Sequence, residues 1–263
     1  MVNWGKYDNA ALALALAIAL TSPAAAQLSA GDEAAAPLAA AADAQPDPWQ
    51  GFNRNIFAAN NVVDDVLFVP AAKGYRAVTP KAGRRGIRRF LSNLGAPSVF
   101  VNDLLQGEFS RAGDTLSRFV INSTIGAGGF ADPAAQMGIE GHNEDFGQTL
   151  AVWGVASGPY LVLPLLGPSS PRDAFGTIVE TGLNPLTYAR TPPANIARLS
   201  LAGTTLVSAR EQFIEPLAEI EASSLDYYSS FRSFYTQSRT REINNGVTNY
   251  DALPTFDDLE DTE

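Results

Sequence analysis

The chain has 263 residues, with 18 Lys and Arg against 28 Asp and Glu, one His, no Cys and a formal net charge of −10. That balance argues against general nucleic-acid binding. The lack of cysteine excludes disulfides, thiolate metal sites and an acylated cysteine within this sequence, and one histidine makes a zinc site improbable, so neither metal nor cofactor is expected.

Lys6 gives a weakly basic start, residues 10–20 are apolar but too short to span a bilayer, and residues 21–26 end in small side chains. This is the pattern of a secretory signal peptide cut after Ala26, with an uncut signal anchor as the alternative. Residues 27–45 are Ala-rich with little bulk to bury, so they read as a flexible leader. The folded part is then 46–246, a length that suits one domain. The acidic residues 247–263 read as a disordered tail.

Asp47-Pro48 opens a first helix, with Asp as N-cap and Pro at the first helical position. Trp49, Phe52, Ile56, Val63 and Leu67 follow at three- to four-residue steps, apart from the polar Asn60 between Ile56 and Val63, and share one face. That face is either core or the buried side of a helix lying in a membrane plane. Val69-Pro70 is expected to end this element. Thr79-Pro80 starts the next, and seven of the eighteen cations fall between Lys73 and Arg89. Arg84, Arg85, Arg88 and Arg89 within this run are candidates for attraction to anionic head groups, against the alternative of a solvated face. Pro97 is expected to begin a third helix that Gly107 interrupts, and Phe109 to Ile125 resumes it until Gly126 to Ala131.

That glycine-rich hexamer, GAGGFA, matches G-x-G-x-x-A, but a phosphate loop must follow a strand and open a helix, whereas here a helix precedes it and Asp132-Pro133 follows. Gly154 to Gly158 misses G-x-S-x-G by one position, and His142 lies upstream of Ser157, against the chain order of that elbow. His142, beside Asn143, Glu144 and Asp145, reads as a capping or salt-bridging residue. No catalytic constellation emerges.

From His142 to Pro168 no charge follows Asp145. The apolar run is long enough on paper to cross a bilayer, but Gly158-Pro159 and Pro164 exclude one straight helix. A short helical piece near 149–155, a turn and the apolar segment Tyr160 to Leu166 remain, and that segment is either core or lipid-facing. Trp49, Phe52, Ile56, Trp153, Tyr160, Leu161, Val162, Leu163, Leu165 and Leu166 are the candidate lipid-binding or membrane-contacting residues. If the segment lines a lipid route, the backbone groups freed by Pro159 and Pro164 are expected to be wet. Ser170-Pro171-Arg172-Asp173 then starts a helix to about Thr181, Asn184-Pro185 and Pro192-Pro193 bracket a loop, and a long helical pattern from Asn195 is kinked or split at Pro216 and stopped at Asn245-Gly246. The chain reads all-α.

Over residues 47 to 246 the sequence resembles the MlaA family, also called VacJ. The resemblance rests on Asp47-Pro48-Trp49-Gln50-Gly51-Phe52-Asn53-Arg54, Pro70 to Arg76, Val101-Asn102-Asp103-Leu104-Leu105-Gln106-Gly107, Arg118 to Thr124, His142 to Leu150, Ser157-Gly158-Pro159-Tyr160 through Pro168, and Arg172-Asp173. It implies a single ring-shaped all-helical domain sunk in the periplasmic leaflet of the outer membrane. Such a protein passes phospholipids that have strayed into the outer leaflet through a central amphipathic channel to a periplasmic lipid carrier, and a trimeric porin often holds it. Family members commonly carry a lipobox cysteine, so their acyl anchor does not transfer to this sequence. The alternative is a soluble periplasmic binding or scaffold protein, with an esterase a distant third.

Overall fold

The computed structural model describes residues 47–183 and 191–246. The signal peptide, the leader, the acidic tail and the Asn184-Pro185 side of the expected loop lie outside the described residues. Helix α1 spans Gln50–Val63 and runs through a π-helical turn, Asp64–Phe68, into α2, Val69–Val78. Pro70 therefore does not end the element: the wide turn just before it, in which the Val69 N–H reaches back to the Asp64 carbonyl, carries the helix past the missing donor. Helix α3, Lys81–Gln106, is continuous through Pro97, which sits inside it instead of starting a new one. Long packing against α4, Phe109–Thr124, outweighs the one backbone bond that Pro97 removes. Gly107, at φ 81°, supplies the left-handed residue that reverses the chain between them.

After a short α5, Pro133–Gln136, and α6, Phe146–Val152, the apolar segment forms the one non-helical element among the described residues. Strands β1, Leu161–Leu163, and β2, Gly167–Ser169, pair antiparallel with Val162 opposite Pro168. Helices α7, Pro171–Leu183, α8, Pro192–Gln212, α9, Ile214–Ser223, and α10, Tyr227–Ile243, are the remaining elements of the described residues. The expected split of the last helical pattern is observed twice, at Phe213 just before Pro216 and again at Ser224 to Asp226. Asn245 and Gly246 are both left-handed and close α10. The fold is all-α apart from the hairpin.

The elements close a circuit. The hairpin lies on α1, α1 meets α10 through aromatic rings, α10 packs on α6, α6 on α3 and α7, α3 on α8, and α8 on α2. At the seam between chain start and chain end, Phe57, Tyr160, Val162 and Tyr228 form the apolar core, with Tyr228 edge-on to both Phe57 and Tyr160. Asp47 is not the side-chain cap of α1. Its carboxylate instead accepts from Asn53 at 2.8 Å and from the Tyr228 hydroxyl at 2.5 Å, tying the first turn to the last helix.

The backbone groups of the hairpin are satisfied by two asparagines two helical turns apart on α1. Asn53 donates to the Tyr160 carbonyl at 3.0 Å and accepts from the Val162 N–H at 2.9 Å, and Asn60 does the same to the Leu163 carbonyl at 2.9 Å and the Leu165 N–H at 2.8 Å. Each carboxamide stands where a neighbouring strand would be. The expectation that Pro159 and Pro164 leave wet backbone groups is corrected here, because a helix side chain supplies the missing partner. Asn53 is fully buried. Replacing it by Leu strands a buried carbonyl and N–H at about 1–3 kcal/mol each. Asn53→Leu is expected to lower the melting temperature of the detergent-solubilised protein by roughly 5–10 °C, and Asn60→Leu by less, since its hairpin end is exposed; equal melting of wild type and Asn53→Leu would dismiss the pairing as structural support.

Candidate functional site

Among the described residues, the partition of polar and apolar side chains runs opposite to that of a protein folded in water. Eight apolar residues are buried, four of them alanine, against twenty polar or charged ones. The same rule repeats helix by helix. On α1, Asn53 is inside beside the core residue Phe57, while Phe52, Val62 and, in the turn that follows, Val66 and Leu67 are outside. On α3, Asn93, Asn102 and Asp103 are inside and Leu94, Val101, Leu104 and Leu105 outside. Helix α4 buries Thr115 and Asn122 and exposes Leu116 and Val120, and α7 buries Arg172, Asp173 and Glu180 and exposes Phe175 and Ile178. Scattered exposed apolar residues are ordinary; bands on successive helices, each backed by a polar face, are not.

The buried polar faces meet in one network. Arg239 of α10 holds both oxygens of Asp145 at 2.5 and 2.7 Å and one of Asp173 at 2.8 Å. Each of those carboxylates also stands in the first turn of a helix. Asp145 caps α6 by accepting from the Gln148 N–H, and in α7 Ser170 is the cap whose hydroxyl accepts from the Asp173 N–H. Gly147 has no room for a side chain, since a Cβ there would lie 2.5 Å from Arg239. Burial pushes Asp173 up, but the guanidinium of Arg239 outweighs it and leaves the carboxyl below its ordinary value.

Further along, Asn102 donates to Glu180 at 3.1 Å and accepts from Thr149 at 2.8 Å, while Gln106 donates to Glu144 at 2.9 Å. Asp103, His142 and Glu144 place three donor atoms within 4.8 Å of one another. Those atoms are already engaged: Arg111 bonds Glu144 at 2.6 Å, His142 Nε2 lies 2.8 Å from Asp103, and Thr115 donates to the other Asp103 oxygen at 2.8 Å. The positive charge that a cation would bring is supplied by Arg111. His142 is held by its contact with Asp103, and desolvation holds Glu144 above its ordinary value.

The sequence candidates divide. Trp49 and Phe52 stand outward and Ile56 packs against the aromatic core. Trp153 is half exposed, its indole N–H held by the Leu105 carbonyl at 3.0 Å. Tyr160 and Val162 have no exposed surface, so these two are core and not lipid-facing, because alternation along β1 turns them toward Phe57 and Tyr228. Leu161, Leu163 and Leu166 are half-buried. Leu165 is exposed at the hairpin tip, with a left-handed φ of 64°. The four arginines split by face as well. Arg84 and Arg88 join Arg76 around the buried Glu211, at 3.2, 3.5 and 2.9 Å, and only Arg85 and Arg89 are exposed. Sequence reasoning missed Glu211 and Arg239, whose partners lie far away in the chain, and the inner asparagines, although their recurrence at helical spacing from Asn53 to Asn60 was visible.

Glu180 gives the network a pH dependence. Desolvation, reinforced by Asp145, pushes its carboxyl up to about 7. The folded state thus binds the proton more tightly than the unfolded chain, so stability falls as pH rises from about 4.5 to 7 and stays at the lower level above it. Glu180→Gln keeps the acceptor for Asn102 and for the Phe146 N–H and removes the charge. It is expected to stabilise the protein by about 2 kcal/mol at pH 8 and to change little at pH 4.5; thermal melts of both proteins across that range read the difference.

A family model described as MlaA lipoprotein matches residues 45–242. The chain is 33% identical over 227 residues to the intermembrane phospholipid transport system lipoprotein MlaA of Escherichia coli strain K12, covering 82% of this chain and 88% of that protein. It is 33% identical over 215 residues to the protein of the same name from Haemophilus influenzae, covering 79% and 84%, and 33% identical over 199 residues to an uncharacterized protein of Rickettsia prowazekii, covering 75% and 78%. A solved chain from work on the structural basis for maintenance of bacterial outer membrane lipid asymmetry aligns with a TM-score of 0.65 at 31% identity, over 76% of this chain and 100% of its own length. Matches of this length and identity, across the same residues that carry the polar network and the hairpin, establish that the chain belongs to the MlaA lipoprotein family.

Proposed function

We propose that this protein is the outer-membrane component of a phospholipid transport system. It lies in the periplasmic leaflet and takes phospholipids that have strayed into the outer leaflet through an amphipathic channel to a periplasmic carrier, so that the two leaflets stay different. The observation that carries this reading is the inverted partition of α1, α3, α4 and α7, with apolar side chains facing out and Asn, Asp, Glu and Arg facing in. In a hydrocarbon surrounding, outward Phe, Leu and Val cost nothing, while inward polar groups must pair with one another. No described helix is long and apolar enough to cross a membrane. The bands therefore suit lateral immersion in one leaflet. They also supply a hold on the bilayer that needs no acylated cysteine.

The half-exposed Trp49 and Trp153 suit the level of the head groups, where indole rings are favoured. Of the four arginines, Arg85 and Arg89 are the exposed ones and are placed to meet phosphate. A trimeric porin and a periplasmic lipid carrier are the partners that the family resemblance supports, and no group that performs chemistry on the lipid is assigned. Residues 1–26 are assigned the export signal.

In cell fractionation the protein is expected to pellet with outer membranes, to resist a high-salt wash and to be released by detergent. Recovery in the soluble periplasm would refute the proposal. A second test separates the arginines. Arg85→Gln with Arg89→Gln is expected to weaken flotation with anionic vesicles by about thirtyfold, at about 1 kcal/mol per cation, without lowering the melting temperature. Arg84→Gln is expected to lower it, because buried Glu211 loses a partner.

A further inference from the structure

One motif finds no use in the polar network or in the membrane bands: the glycine-rich turn Gly126 to Ala131. Its geometry is specialised. Ala127, Gly128 and Gly129 are all left-handed, at φ 53°, 75° and 98°. A Cβ on Gly126 would lie 2.4 Å from the Asn122 carbonyl oxygen, and one on Gly129 would lie 2.6 Å from the Asn93 side chain. Asn93, in turn, is buried and donates to Ser123 at 2.9 Å, which fastens the turn to both α3 and α4. The result is that Phe130 stands half exposed, stacked on Phe90 of α3 with ring centroids 4.8 Å apart and planes within 15°. A turn bound this tightly through consecutive left-handed residues, ending in a half-exposed aromatic ring, is an expensive way to fill a core.

What the ring does is wall a groove. Ile87, Phe90 and Leu91 of α3, Phe130, and Ala197 and Leu201 of α8 enclose about 410 Å³, within the range of small-molecule sites. Its lining contains no charge, and its polar side chains are the hydroxyls of Ser200 and Thr204. The groove face of α3 continues as Leu94, Val101 and Leu105, each exposed and each at helical spacing from the last. From Ile87 to Leu105 that stripe is about 27 Å long at 1.5 Å per residue, more than the half-thickness of a bilayer core, about 15 Å. On the same turns of α3, Arg84 and Arg88 stand on the α8 side of the groove, paired with Glu211, and Arg85 and Arg89 are exposed on the opposite side of the helix. An uncharged elongated groove that opens onto a membrane-facing stripe, on a helix whose opposite flank is cationic, is complementary to an amphiphile with an anionic head.

We propose that the groove between the first half of α3 and α8 holds one acyl chain of a phospholipid, with the phosphate met by the arginine flank, and that the glycine-rich turn exists to hold Phe130 as its wall. This rests on the membrane reading above and deepens it by naming a lipid-holding site outside the polar network. The test uses the full chain in detergent with a substoichiometric phosphatidylglycerol carrying a diazirine near the end of one acyl chain, cross-linked and mapped by peptide mass spectrometry. Label is expected in the segments containing Ile87 to Leu91 and Ala197 to Leu201. Ala197→Trp fills the open side of the groove from an exposed position and is expected to cut that label about tenfold, the effect of denying roughly two methylenes their burial. Phe130→Ala is expected to cut it as well, and both variants are checked for unchanged melting. A diazirine diacylglycerol of the same chain length is expected to label less, and equal labelling would remove the arginine flank from the proposal. Label on the outer face of α1 but none in the groove, or groove label unchanged in both variants, would overturn the groove and leave the membrane reading standing. Failure of the protein to take up label anywhere, together with recovery in the soluble periplasm, would overturn both.

Discussion

A fold whose buried side chains are mostly polar is held together by pairing them with one another, and in this protein that pairing converges on Arg239. One guanidinium joins the cap of α6 and the first turn of α7 to the last helix, because Asp145 caps α6 and Asp173 stands in the first turn of α7 while both pair with Arg239. Buried pairs of this kind return little net stability, since desolvation cancels most of the attraction, but removing one member leaves a stranded charge. Specific placement is what they contribute. Gly147 and Gly176 mark how closely the geometry is drawn, for a Cβ on Gly176 would lie 2.5 Å from the Gly147 nitrogen. The network sets α6 and α7 against each other at backbone contact and lets α10 close over them.

The hairpin shows the same economy with neutral groups. An isolated pair of three-residue strands does not persist in water, and this one is completed by the carboxamides of Asn53 and Asn60 acting as a third strand. The small aromatic core then needs only Phe57, Tyr160, Val162 and Tyr228. Everything apolar beyond that is available to face outward, which joins the interior chemistry to the membrane reading: polar pairing inside releases Leu, Val and Phe for the surface. Wherever the inner face pairs completely, the outer face can be hydrocarbon.

Much of this was legible in the chain. The motifs from Asp47 to Asp173 identify the family, the helix start at Ser170-Pro171 and the stop at Asn245-Gly246 were where their chemistry puts them, and the split near Pro216 follows from a missing donor, whereas the short helix expected near 149–155 begins three residues earlier, at Phe146, under the cap of Asp145. Pro70 and Pro97 misled because each local cost, one backbone bond, is smaller than the packing of the long helices that carry them.

What the sequence determined by itself is that each helix has two faces, since periodicity is written in the spacing of side chains. Which face turns inward was decided only by the tertiary structure. Phe52 and Asn53 are neighbours in the chain, and the same pattern puts Phe inside when the surroundings are water and Asn inside when they are hydrocarbon. Pairings such as Asn53 with Tyr160, Arg76 with Glu211 and Asp145 with Arg239 span about a hundred residues or more. No local spacing encodes them, because a buried polar group is satisfied by whatever the closed circuit brings within reach.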